Sequence, residues 1–191
     1  MIPWFSFSVI QLGPIPIQVW GLLVSLGIAL GIFLLVQRLK KEGMKNAPLV
    51  IDLAFWAVAF GFLGARISHV FLYDIAAFFA NPISFFAVWN GGLSSFGGFV
   101  GACFGAWLYV KRKKPQWLQK MGVQRFLSYI PLPFLAGWIV ARLGCVLIHD
   151  HPGQACDCLL AFNHPTQPFL DMALLEILGL LPLVVFLVLV R

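Results

Sequence analysis

Apolar residues gather along the chain in five blocks, at about 17–37, 49–73, 93–110, 130–148 and 169–190, separated by short polar or aromatic stretches. Each block approaches the roughly 20 residues that a helix needs to cross a hydrocarbon core. The runs are continuous and lack the alternation of barrel strands, which argues against a transmembrane barrel. The pattern predicts an all-α integral membrane protein, a polytopic transmembrane helix bundle of about five spans built as a single domain over residues 1–191. Two stretches between spans have their own character. Residues 74–92, which include Phe78, Phe79, Phe85, Phe86 and Trp89, are too short and broken to span. They predict an outer interfacial arm, because aromatic rings favour the head-group boundary. Residues 149–168 predict an outer loop.

Composition sharpens the class, and charge gives it a direction. At 61% hydrophobic and 10% charged, the chain is too apolar for a soluble domain. Its net charge of +6 comes largely from two clusters, Arg38, Lys40, Lys41 and Lys45, then Lys111, Arg112, Lys113, Lys114, Lys120 and Arg125. No aromatic platform interleaves them, so the excess reads as membrane topology and attraction to anionic lipid, with no nucleic acid as partner. The stretches 74–92 and 149–168 hold no Lys or Arg. The positive-inside rule then places both clusters in the cytoplasm and the N-terminus outside, with Asp74, Asp150, Asp157 and Asp171 at or near the outer face. Met1–Gln18 lacks a basic leading region and reads as a mature N-out start, not a cleaved signal.

Arg66 and Arg142 alone among the basic residues fall inside long apolar runs, each directly after an alanine on a glycine-bearing segment. A guanidinium stays charged, and at the centre of a membrane helix it costs about 2.5–3.5 kcal/mol on insertion scales. Something must offset that, and a pair of such arginines points to a site for an anionic group. Gly97, Gly101 and Gly105 recur every four residues and line one helix face, where packing against a neighbour is reason enough for them. Gly91, Gly92, Ser94, Ser95, Gly97 and Gly98 crowd the outer mouth of the same segment, where backbone N–H groups and hydroxyls offer a seat for phosphate.

Four blocks carry a resemblance. In this order, Gly61–Asp74 (GFLGARISHVFLYD), Gly91–Ala102 (GGLSSFGGFVGA), Ala141–Gly153 (ARLGCVLIHDHPG) and His164–Gln167 (HPTQ) resemble those of the prolipoprotein diacylglyceryl transferase family. The chain reads as a divergent or truncated member. The resemblance implies a multi-pass helix bundle in the bacterial inner (cytoplasmic) membrane. It also implies a transferase of lipoprotein biosynthesis, moving diacylglyceryl from phosphatidylglycerol to the lipobox cysteine thiol of an exported prolipoprotein and releasing glycerol phosphate. Arg142 and Gly144 fit the family's Gly-Arg-[Ile/Leu]-Gly block, Gly153 its closing glycine, and Arg66 the Gly-Ala-Arg of the second helix. Asp150 stands where a carboxylate is common. Phe96 replaces a histidine, Cys145 an asparagine and Trp20 a tyrosine, and Leu170-Asp171-Met172 takes the place of a Leu-Tyr-Glu.

Alkylating a thiol with a lipid glycerol carbon needs a thiolate, and it needs compensation of the charge on the departing phosphate. Arg142 and Arg66 suit the second task through charge-assisted contacts. For the first, His69 lies three residues after Arg66 on nearly the same helix face, and His149 and Asp150 follow the fourth block. The candidate catalytic set is therefore Arg142, Arg66, His69 and Asp150, with Gly91, Gly92, Ser94, Ser95, Gly97, Gly98, Gly144 and Gly153 for substrate. No metal or cofactor is expected. Two other readings compete, a phospholipid-binding relative that has lost the reaction, and a metal-binding outer loop. In the latter, His149, His151, Cys156, Cys158 and His164 supply enough ligands for zinc or copper.

Overall fold

The computed structural model describes residues 1–44, 49–87 and 91–190, with Ile15 through its backbone only. Lys45 of the first basic cluster, Trp89 and Asn90 of the expected arm, and Arg191 lie outside the described residues. Five long helices stand where the apolar blocks predict them: α1 (Val19–Lys41), α2 (Val50–Tyr73), α4 (Ser95–Lys113), α7 (Pro131–Ile148) and α8 (Met172–Leu189). Among the described residues, α1, α2, α7 and α8 are long and apolar enough to cross a membrane. In α4, the terminal Lys111, Arg112 and Lys113 and several glycines lower the hydropathy. The chain forms two compact units, residues 1–39 with 127–191, and residues 40–126.

In the unit of residues 40–126, α2 and α4 run antiparallel with almost no side chain between them. The stripe Gly97, Gly101 and Gly105 is buried, as expected for packing. A Cβ at Gly64 would come 3.0 Å from the Gly101 Cα, and one at Gly61 would come 3.3 Å from the Ala102 Cβ. Small residues on both helices let the backbones touch, which is how helices associate where lipid supplies no hydrophobic drive. Ser94 caps α4, its Oγ accepting the Gly97 N–H at 3.4 Å, while its own N–H donates to the Ala65 carbonyl at 3.0 Å. Between these helices the chain folds into α3 (Ile75–Ala80) and a 3-10 turn at Pro82–Phe86, neither with a buried residue. Phe79, Ile83 and Phe86 are among the most exposed apolar side chains of the molecule. After α4, the short helices α5 (Gln116–Met121) and α6 (Val123–Ser128) follow the basic turn.

In the unit formed by the chain's two ends, α1 meets α7 through Gly27 and Gly137, each lying against the other's carbonyl. The sequence reads residues 149–168 as a loop and assigns no element to Met1–Gln18, and both carry short strands. β1 (Ile2–Pro3), β4 (Pro152–Ala155), β5 (Ala161–Asn163) and β6 (Phe169–Asp171) form one sheet in the order β1-β5-β6-β4. β2 (Val9–Leu12) and β3 (Ile15–Gln18) pair as a hairpin. β1 lies parallel to β5 with Ile2 opposite Phe162, a pairing between the chain's two ends. Beneath the sheet, Cys145, Val146, Phe162, Ala173 and Ile177 form a buried cluster, with Trp4, Phe5 and Trp20 against it.

Candidate functional site

Arg66 is buried on α2, and the structure fills its donors with backbone. Nε donates to the Phe85 carbonyl at 2.8 Å, Nη1 to Gly91 and Gly92 at 2.8 and 3.0 Å, and Nη2 to Ser84 at 2.5 Å. Four of its five N–H groups thus hold the arm that precedes α4. Gly91 and Gly92 have φ of 84° and 79°, the left-handed region open to glycine. A Cβ on Gly92 would lie 2.8 Å from Arg66 Nη1 and 2.6 Å from His69 Nε2. His69 and Arg66 therefore share a face, as their spacing predicts. His69 stacks on Tyr73 and has no hydrogen-bond partner among the described residues. The two glycines turn their carbonyls toward Arg66, so at this point the turn serves the arginine and not, through its N–H groups, an anion. Ser94 is engaged as the helix cap, Ser95 opens α4, and Gly97 and Gly98 pack against Ser68 and Ala65 of α2.

Arg142 on α7 is held differently. Its Nη2 pairs with Glu176 Oε2 of α8 at 2.8 Å, and Trp138 Nε1 donates to Glu176 Oε1 at 2.6 Å. The Trp138 ring lies 5.2 Å from the guanidinium carbon, a cation-π contact. Nη1 reaches the Cys145 sulfur at 3.8 Å, and the buried Nε has no hydrogen-bond partner among the described residues. Gly144 fits against Trp20, where a Cβ would stand 3.3 Å from the Trp20 Cα. Gly153 lies in β4 beside β6, and a Cβ there would meet the Leu170 carbonyl at 2.7 Å and the Met172 sulfur at 2.8 Å.

His149 and Asp150, which both follow the fourth block, part company in the structure. His149 ends α7 with φ 53° and turns into the interior, where Nδ1 meets Asp171 Oδ2 at 2.8 Å and Nε2 donates to the Phe5 carbonyl at 2.8 Å. Trp4 stacks on its ring at 4.3 Å. Asp171 is fully buried, and its other oxygen caps α8 through the N–H groups of Ala173 and Leu174 at 2.9 and 3.1 Å. With both ring nitrogens committed, His149 fastens the N-terminal segment, α7 and α8 together and is not free to take a proton from a thiol. Asp150 is exposed and pairs instead with His151 at 2.5 Å. The five-ligand loop does not gather either, since Cys156 and Cys158 are joined in a disulfide and His164 bonds to Thr166. The sequence reading missed Glu176 and the role of Asp171. Glu176 had a visible signal, a carboxylate within an apolar run that calls for a cation on a neighbouring helix.

A family profile described as prolipoprotein diacylglyceryl transferase matches residues 8–191. The chain is similar to proteins named phosphatidylglycerol–prolipoprotein diacylglyceryl transferase. That of Frankia casuarinae is 39% identical over 58% of this chain and 27% of the relative. That of Ectopseudomonas mendocina is 32% identical over 83% and 58%. A relative from Pseudomonas fluorescens is 30% identical over 91% and 62%. The chain thus spans between about a quarter and three-fifths of the length of these curated relatives.

Proposed function

The chain belongs to the prolipoprotein diacylglyceryl transferase family, and on that premise we propose that it takes part in diacylglyceryl transfer from phosphatidylglycerol to the lipobox cysteine thiol of an exported prolipoprotein. The reading places it in the bacterial inner membrane with its N-terminus outside. The observation that carries it is Arg142, held in an apolar helix by Glu176 and Trp138 while its buried Nε keeps a donor unspent. In the reaction, the acceptor sulfur bonds to the glycerol carbon, the carbon–oxygen bond to phosphate breaks, and glycerol phosphate leaves with the electron pair. Arg142 stabilises that developing charge, a task in which losing one well-placed donor typically costs about 10²–10³-fold in rate. We assign the thiol proton to His69, whose ring has no hydrogen-bond partner among the described residues, whereas His149 is committed on both nitrogens. Asp150 supports the outer end of the Arg142 block, and Gly144 and Gly153 give it the close packing it needs. Arg66, Gly91 and Gly92 set the arm of residues 74–92, whose exposed Phe79, Ile83 and Phe86 suit the membrane interface. Ser94, Ser95, Gly97 and Gly98 shape the helix mouth behind it.

The experiment is incubation of the purified chain with labelled phosphatidylglycerol and a lipobox peptide, reading both lipidated peptide and released glycerol phosphate. Arg142→Lys keeps the charge and loses the planar fork, so turnover should fall about 10²-fold or more. Turnover unchanged in Arg142→Gln overturns the assignment, and turnover unchanged in His69→Gln overturns the base. Retained lipid binding without turnover in the parent would identify a binding relative. Tags at Gly43 and Pro115 should be shielded from external reagents and one at Gln154 open to them, and the reverse would invert the topology.

A further inference from the structure

Beyond the end of α7 the chain gathers donors that the transfer reading leaves unexplained. Cys145 Sγ, a carboxylate oxygen of Asp150 and a ring nitrogen of His151 all lie within 4.8 Å of one another. The helix end produces this grouping. His149, in the left-handed conformation, stops the helix and sends Asp150 and His151 back over its last turn, where Cys145 sits. Asp150 and His151 are partly exposed and already in contact at 2.5 Å, whereas Cys145 is buried beneath them.

We propose that Cys145, Asp150 and His151 form a binding site for a divalent cation of the zinc class, with one coordination position left open. A thiolate, a carboxylate and an imidazole are the donors that zinc takes, at about 2.0–2.3 Å. Tetrahedral bonds of that length set the donors about 3.3–3.8 Å apart, so the sulfur has to close on the other two by about 1 Å while the Asp150–His151 contact opens from 2.5 Å. The charges also balance. Arg142, which reaches the Cys145 sulfur at 3.8 Å, is already paired with Glu176 at 2.8 Å and so does not stand as a bar to a cation. With the thiol ionised, the three negative groups Cys145, Asp150 and Glu176 match Arg142 and a divalent ion. This donor set differs from the loop ligands suggested by spacing, because the Cys156–Cys158 disulfide removes two thiolates and Asp171 and Phe5 hold both nitrogens of His149. Three protein ligands and an open position are what a site needs to hold a water or the oxygen of a ligand.

The test reads metal and not turnover, so its failure is distinct from failure of the transfer reading. The full chain in detergent, with Cys156 and Cys158 oxidised, is titrated with Zn2+ and with Co2+. One equivalent should bind, and the Co2+ form should show a thiolate charge-transfer absorption that Cys145→Ser abolishes. His151→Gln, at an exposed position that does not endanger folding, should weaken Zn2+ binding by about tenfold or more, as should Asp150→Asn. No stoichiometric Zn2+, the absorption band surviving in Cys145→Ser, or unchanged affinity in His151→Gln would each overturn the proposal.

Discussion

Arg66 and Arg142 begin from nearly the same sequence, an Ala-Arg step inside a glycine-bearing apolar run, yet each unit uses its arginine in its own way. Arg66 is offset by dipoles, its donors spread over the carbonyls of Ser84, Phe85, Gly91 and Gly92. Arg142 is offset by a charge, Glu176, with Trp138 holding the carboxylate and one guanidinium nitrogen left without a partner among the described residues. The first arrangement spends the arginine on structure, and the second keeps part of it available. An arginine in a membrane helix thus marks a place where something polar must come, but only its partners tell whether that something is already part of the protein.

The sharpest way to break the comparison is to remove Arg66. Arg66→Met strands four carbonyls, and each polar group left unsatisfied costs about 1–3 kcal/mol unless the segment moves to find water. The arm should therefore detach, and limited proteolysis within residues 74–87 should speed up by about 10²-fold, two factors of ten for ~2.7 kcal/mol. Gly92→Ala should do the same more mildly, because its Cβ would meet the guanidinium at 2.8 Å. Arg142→Met, assayed alongside, should leave cleavage of the arm unchanged. Equal release in both variants would erase the distinction between the two arginines.

Glu176 gives the next largest effect. Glu176→Gln leaves Arg142 charged inside an apolar helix, and breaking a fully buried pair costs about 3–5 kcal/mol. With side chains 21% and 34% exposed, solvent screens part of that, so about 2 kcal/mol is expected, a fall of about 4–8 °C in the thermal midpoint. The double variant Arg142→Met with Glu176→Leu should recover most of that stability, since replacing both partners by apolar groups is nearly neutral. Turnover should stay lost. Stability unchanged in Glu176→Gln would mean that Arg142 does not depend on the pair.

The helices were legible in the sequence because a membrane span is a long pattern: the second block was expected at 49–73 and found at Val50–Tyr73. The sheet was not, for the opposite reason. Its strands are two to four residues long, with no alternation to read, and one of its pairings joins Ile2 to Phe162 across most of the chain. The same distance hid half of the chemistry. Arg142 stands out as a charge in an apolar run, while Asp171 reads as an outer-face carboxylate and Glu176 draws no reading until α7 and α8 bring Arg142 and His149 against them. His149 reads as a candidate base because it follows the arginine helix next to Asp150, and the left-handed turn at that residue sends the two side chains apart.

Trp138 provides the finest discrimination between the two arginines. Its indole N–H donates to Glu176 Oε1 at 2.6 Å and its ring lies beside the Arg142 guanidinium, so it serves both members of the pair, whereas Arg66 has only backbone on its donors. Trp138→Phe keeps an aromatic face for the cation and removes the donor. A hydrogen bond to a charged acceptor is worth about 1.5–3 kcal/mol, but the carboxylate is only partly buried and keeps its pairing with Arg142, so the loss should be about 1 kcal/mol. Trp138→Leu removes the ring as well and should cost a further ~0.5–1 kcal/mol, the size of a partly exposed cation-π contact. The check is a double-mutant cycle with Glu176→Leu, which leaves no acceptor for the indole. If Trp138 acts through the carboxylate, the Phe substitution should cost nearly nothing once that acceptor is gone, and a full additive loss would show that Trp138 only fills space beside the arginine.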